Sequence, residues 1–171
     1  MTNKSLLLVG LAVGAAVAAY AAPASAIPLT VGAGWTADAV NAVNVPSLDS
    51  PWTFTLASAG VFRVTDQFIA GDVYTVFEAG NLIGTSTFDG PQAPLTPIGD
   101  PTGEAGWESG AYSHLAIGLS AGTYSLVVEG NGAGGIPAGF FVRADTVPEP
   151  ATIALLGVGL LGIGLVRRKR A

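Results

Sequence analysis

The chain has 171 residues, half of them hydrophobic, with 24 glycines, 11 prolines, no cysteine and only 11% charged residues. That excludes disulfide staples, thiol catalysis and cysteine metal sites, and it favours strands and turns over long charged helices. The net charge of −5 hides a segregation: between Ile27 and Thr146 two bases, Arg63 and Arg143, stand against eleven acids, so this middle part carries about nine negative charges and cannot neutralise the phosphates of a nucleic acid.

Met1 to Ala26 reads as a secretory signal peptide that hands the chain to the secretion translocon. Lys4 supplies the positive start, Leu6 to Ala19 the apolar core, and Ala24-Ser25-Ala26 the small-residue cleavage site, which puts the mature start at Ile27. The stretch from Ile27 to Ser50 is weakly patterned; Trp35 and Val43-Asn44-Val45 are expected to pack as an edge segment interrupted by Pro46. From Pro51 the pattern sharpens. Trp52, Phe54 and Leu56 alternate with Thr53 and Thr55, the period of a half-buried strand. Further strands are predicted at Val61–Thr65, Val73–Glu78 and Leu82–Phe88, separated by short turns, which reads as a β-meander.

Asp89 to Gly110 holds four prolines and five glycines and reads as one long structureless loop, a length that is often functional. Strands resume at Ser113–Leu119, Thr123–Glu129 and Gly139–Ala144. The segments Leu56–Val61 and Leu119–Tyr124 look alike, each ending one strand, turning on a glycine and starting another. They resemble the strand-turn-strand element of bacterial jelly-roll modules, including pre-peptidase C-terminal and carbohydrate-binding domains. The expected fold is all-β: an antiparallel, jelly-roll-like β-sandwich over residues 27–146. An N-terminal signal peptide and a single C-terminal transmembrane helix flank it. About 120 residues bury enough surface to fold on an apolar core.

Candidate chemistry in the sandwich is sparse. Gly118-Leu119-Ser120-Ala121-Gly122 matches the G-x-S-x-G nucleophile elbow, but a strand follows it where that motif needs a helix, so Ser120 and Gly122 are expected in a hairpin turn. His114 is the sole histidine and is expected to face solvent, with Ser113 on the opposite face of its strand. Glu104 and Glu108 lack a rigid element to fix a glycosidase spacing. No cofactor and no enzymatic activity are expected. Two binding readings stay open: a calcium site among Asp66, Asp72, Asp89 and Asp100, since hard cations want clustered oxygens, and a sugar-stacking surface at Trp107 and Tyr112.

The chain ends on a composite tail, residues 147–171. Val147-Pro148-Glu149-Pro150 comes first, then an uncharged run over residues 151–166, then Arg167, Arg168, Lys169 and Arg170. As a helix the run spans about 24 Å, slightly short for a bilayer core, and the bases extend it by snorkelling. Its nine Leu, Ile and Val side chains favour insertion by roughly 3–5 kcal/mol before the cost of four glycines. The bases stop the helix on the cytoplasmic side. The prolines hold Glu149 in extended backbone at the outer boundary.

This order of hinge, glycine-rich apolar run and basic stop resembles the PEP-CTERM sorting signal of Gram-negative bacteria. The resemblance implies recognition at Pro148-Glu149-Pro150 by exosortase, a membrane enzyme associated with exopolysaccharide export, and removal or transfer of the tail. The protein is then expected to cross the inner membrane, anchor there transiently, and reach the cell envelope or extracellular matrix. Its role there would be structural or adhesive, linked to exopolysaccharide or biofilm. A carbohydrate-binding module is the alternative, and a secreted hydrolase ranks third.

Overall fold

The computed structural model describes residues 25–88 and 102–148. The predicted signal peptide up to Ala24, Asp89, Asp100, Glu149, Pro150, the predicted helix 151–166 and Arg167, Arg168, Lys169 and Arg170 lie outside the described residues. Among the described residues no helix is long and apolar enough to cross a membrane.

Among the described residues nine strands form two sheets. Ile27–Pro28 (β1), Trp52–Leu56 (β3), Tyr74–Glu78 (β5), Asn81–Thr85 (β6) and Gly122–Gly130 (β8) make one sheet in the order β1-β3-β8-β5-β6. Thr36–Val40 (β2), Gly60–Asp66 (β4), His114–Leu119 (β7) and Ala138–Thr146 (β9) make the other in the order β2-β9-β4-β7. All neighbours are antiparallel except β1 and β3. The described residues thus make a β-sandwich with one short helix among them, Gly103–Ser109 (α1).

The side chains that alternate inward fill the space between the sheets. Trp52, Phe54 and Leu56 from β3 and Tyr74 and Val76 from β5 meet Phe62 and Val64 from β4 and Phe140 and Val142 from β9. Phe54 stacks on Phe62 with ring centroids 5.7 Å apart, and Tyr74 tilts on Phe140 at 4.8 Å, so aromatic contacts tie one sheet to the other.

The meander reading is corrected. Among the described strands only β5 and β6 are successive and paired with each other. The turn after β3 carries the chain into the opposite sheet, and the turn after β7 carries it back. Leu56 pairs with Gly122 in one sheet while Gly60 pairs with Leu119 in the other. The two look-alike segments are therefore matched crossings at the same end of the sandwich, and Ser120 and Gly122 sit in a crossing, not a hairpin. The edge segment around Val43-Asn44-Val45 is present as backbone pairing: the Asn44 and Ser47 N–H groups donate to the Gly130 and Val128 carbonyls at 2.9 and 2.8 Å, and Pro46 bridges to Glu129 at the end of β8. The Val43 and Val45 side chains stand 53% and 38% exposed there.

The loop 89–110 is not wholly structureless. Thr102 caps α1 by accepting from the Ala105 N–H, and Gly110 ends it in the left-handed conformation at φ 64°. A seven-residue helix does not stand alone in water, and α1 holds because it lies on the outer face of the β4–β9 ladder. Its first residue, Gly103, comes so close to the Trp35 indole that a methyl group there would overlap the ring.

Candidate functional site

The strand directions sort the loops to two ends. At one end lie the crossings Ala57–Ala59 and Ser120–Ala121, the loop 31–34 that feeds β2, and the exit of β9. Gly60 pairs with Thr146, and the Val147 N–H donates to the Ala59 carbonyl at 2.8 Å. Val147 and Pro148 are exposed immediately beyond that bond. The sorting segment thus begins where the sheet stops, with no intervening linker.

The opposite end carries the loops 41–51, 67–73 and 131–137. There Gln67, Phe68, Ile69, Asp72, Gly134, Gly135, Pro137, Ala138 and Gly139 line a cleft of about 110 Å³. Phe68, Ile136, Val43 and Leu48 stand exposed around this end, between 43% and 62%. Phe68 takes the left-handed backbone conformation, φ 67°, which is uncommon for an aromatic residue.

Two of the four acids considered for calcium meet behind this cleft. Asp66 ends β4 with its side chain turned into the core and fully buried. Its carboxyl accepts from the Gln67 N–H at 2.7 Å and the Gly71 N–H at 3.3 Å, which folds the 67–71 loop around it. The Tyr74 hydroxyl donates to the Gly139 carbonyl at 2.7 Å and lies 3.4 Å from Asp66 Oδ1. Burial, reinforced by the neighbouring Asp72, pushes the Asp66 carboxyl up to about 8. Burial also raises Asp72, whose Oδ1 accepts from the Gly134 N–H at 2.7 Å. Among the described residues no group of three or more His, Asp or Glu is placed to hold a metal ion.

The sugar-stacking pair is separated by burial. Tyr112 is 2% exposed, so it presents no stacking face, and the expectation for it is corrected. Tyr112 follows the C-cap of α1 and turns inward where the chain enters β7. Trp107 is half-buried in a contact that sequence reasoning missed. The Arg63 guanidinium lies over its ring at 5.4 Å, Trp35 packs at 5.7 Å, and His114 meets it edge-on at 5.1 Å. Arg143 lies over Trp35 at 5.8 Å, and Glu104 Oε2 accepts from both Trp35 Nε1 (2.8 Å) and Arg143 (3.0 Å). Both bases of the sandwich thus help to fix α1 to the sheet. His114, expected to face solvent, is half-buried against Trp107. Ser113, expected on the other face of that strand, is fully buried and bonds Ser86 and the Asp72 carbonyl. The available signal was that Arg63 and Arg143 are the only cations between Ile27 and Thr146.

Residues 146–170 match the family described as the PEP-CTERM protein-sorting motif. No curated protein matches the chain. A similar solved structure is the pre-peptidase C-terminal domain of a collagenase from Bacillus anthracis, 13% identical, with a TM-score of 0.40, covering 73% of this chain and 99% of that one. The sorting motif implies an exported protein that exosortase recognises, anchored at the membrane in transit and then extracellular.

Proposed function

We propose that this protein is a non-catalytic structural or adhesive component of the cell surface or extracellular matrix, delivered by exosortase and associated with exopolysaccharide. The observation that carries the reading is the join between β9 and the sorting segment. Because the tail leaves one end of the sandwich without a linker, the other end points away from the membrane. That outward end bears Val43, Leu48, Phe68 and Ile136 around the cleft that Asp72 lines, the kind of apolar patch that marks interaction sites. The net negative charge favours solubility while this patch stands exposed.

The sorting step is tested by replacing Pro148, Glu149 and Pro150 together and following mass and location in a host carrying exosortase. The expected result is a precursor that keeps its full tail in the inner membrane. A product of unchanged mass at the parent's location would refute the reading. The role of the sandwich is tested by co-sedimentation with the host's exopolysaccharide, where Phe68→Ser and Ile136→Ser should weaken association while Trp107→Ala, in an internal contact, leaves it. Loss with Trp107→Ala alone would favour a sugar-stacking module instead.

A further inference from the structure

The exit of the chain has a consequence for the enzyme that reads it. Val147 is fixed to the sheet by its 2.8 Å bond to Ala59, and Glu149 follows two residues later. Fully extended, two residues reach at most about 7 Å, and the apolar run that starts at residue 151 is within about 14 Å of Val147. An enzyme that binds Glu149 from a membrane-embedded position must therefore work against the end of the folded sandwich, because this connection is too short to hold the two apart.

What the enzyme would meet there is set by three connections. The crossing Ala57-Ser58-Ala59, the crossing Ser120-Ala121 and the loop Val31-Gly32-Ala33-Gly34 surround the exit, the last tied in by the Gly32 N–H donating to the Ala144 carbonyl at 2.8 Å. None of these residues is charged, in a domain whose acids outnumber its bases eleven to two. The acid nearest the exit in sequence, Asp145, is occupied by Arg63 at 3.0 Å and Arg143 at 2.6 Å. Asp49, Asp66 and Asp72 all lie at the far end.

We propose that this tail-bearing end, residues 31–34, 57–59 and 120–121, is a contact surface for the tail-processing enzyme, seated against it whenever Glu149 is engaged. The proposal rests on the exosortase reading above. It adds that the enzyme recognises its substrate in the context of a folded, uncharged platform, so short side chains at these turns are a requirement of processing as well as of folding.

The test uses the full chain in a host with exosortase, reading the ratio of precursor to processed protein after a pulse. Ala57→Arg with Ala121→Arg should slow processing roughly tenfold, as should Ala57→Glu with Ala121→Glu, because both pairs add bulk where contact is tight. A six-residue Gly/Ser insertion between Val147 and Pro148, adding roughly 13 Å of reach, should restore the parent rate in both. Processing of the substituted chains at the parent rate would overturn the proposal. So would slow processing that the insertion does not relieve, since the defect would then lie in folding. Replacement of Pro148, Glu149 and Pro150 serves in parallel: if that variant is processed normally, the exosortase reading itself fails, independently of the platform.

Discussion

Arg63 and Arg143 are direct cross-strand partners in the β4–β9 ladder, two like charges side by side that lean on one carboxylate, Asp145. Like charges in opposed positions destabilise a sheet unless an anion stands between them. Asp145 supplies it from β9 itself, two residues beyond Arg143 on the same face.

Asp145 is mostly buried, so Asp145→Asn should lower the unfolding free energy of the exported domain by about 1–3 kcal/mol, leaving two cations facing each other. Glu104 is 55% exposed, and Glu104→Gln should cost no more than about 0.5 kcal/mol. Urea unfolding of the two variants side by side checks the contrast.

Asp66 predicts the pH dependence. Its folded value, about 8, is above its ordinary one of 3.8, so the folded form binds a proton that the unfolded form gives up. The associated stability is fully present below pH 3.8 and is lost as pH rises through about 8. The domain should therefore lose on the order of a few kcal/mol between pH 5 and pH 9, and Asp66→Asn should flatten that slope. Thermal midpoints across this range measure both.

Gly60→Ala should disturb the exit of the chain. A methyl group there would stand 2.5 Å from the Asp145 carbonyl oxygen and 2.8 Å from Leu56, and backbone cannot step aside cheaply. A loss of about 1–3 kcal/mol is expected, with faster amide exchange at Val147. Gly118→Ala, which meets only open space, should change stability little. Amide hydrogen exchange resolves the comparison.

Gly103→Ala should release α1, because the added carbon overlaps the Trp35 ring. Tryptophan emission from Trp35 and Trp107 should shift to the red while Trp52, 1% exposed in the core, stays blue. Proteolysis within Gly103–Ser109 should accelerate together with that shift. An unchanged spectrum would show that α1 docks through its other contacts.

The strands were legible in the sequence because their alternation is local. Trp52, Phe54 and Leu56 declare an inward face whatever surrounds them, and β3 runs over the predicted residues. Which sheet each strand joins was not legible, since Leu56–Val61 would look the same as a hairpin or as a crossing. The choice is made by distant partners, Gly122 and Thr146. Helix α1 left two local marks, Thr102 as cap and Gly110 as stop. Its helicity nevertheless depends on Trp35 and Arg63, far away in the chain. Tyr112 illustrates the converse: its loop setting suggested an exposed ring, and tertiary packing turned it inward. The sorting motif was legible because its residue pattern is local in sequence, and residues 146–170 match the family model.

Strand β9 comes late in the chain yet lies at the centre of its sheet. It runs between β2 and β4 and brings Phe140 and Val142 to the interior, although it is the last of the described strands in chain order. Without it, one sheet of the sandwich is split between β2 and β4 and the hydrophobic centre stands open. A chain truncated before Ala138 should therefore leave this core open and be cleaved readily by proteases.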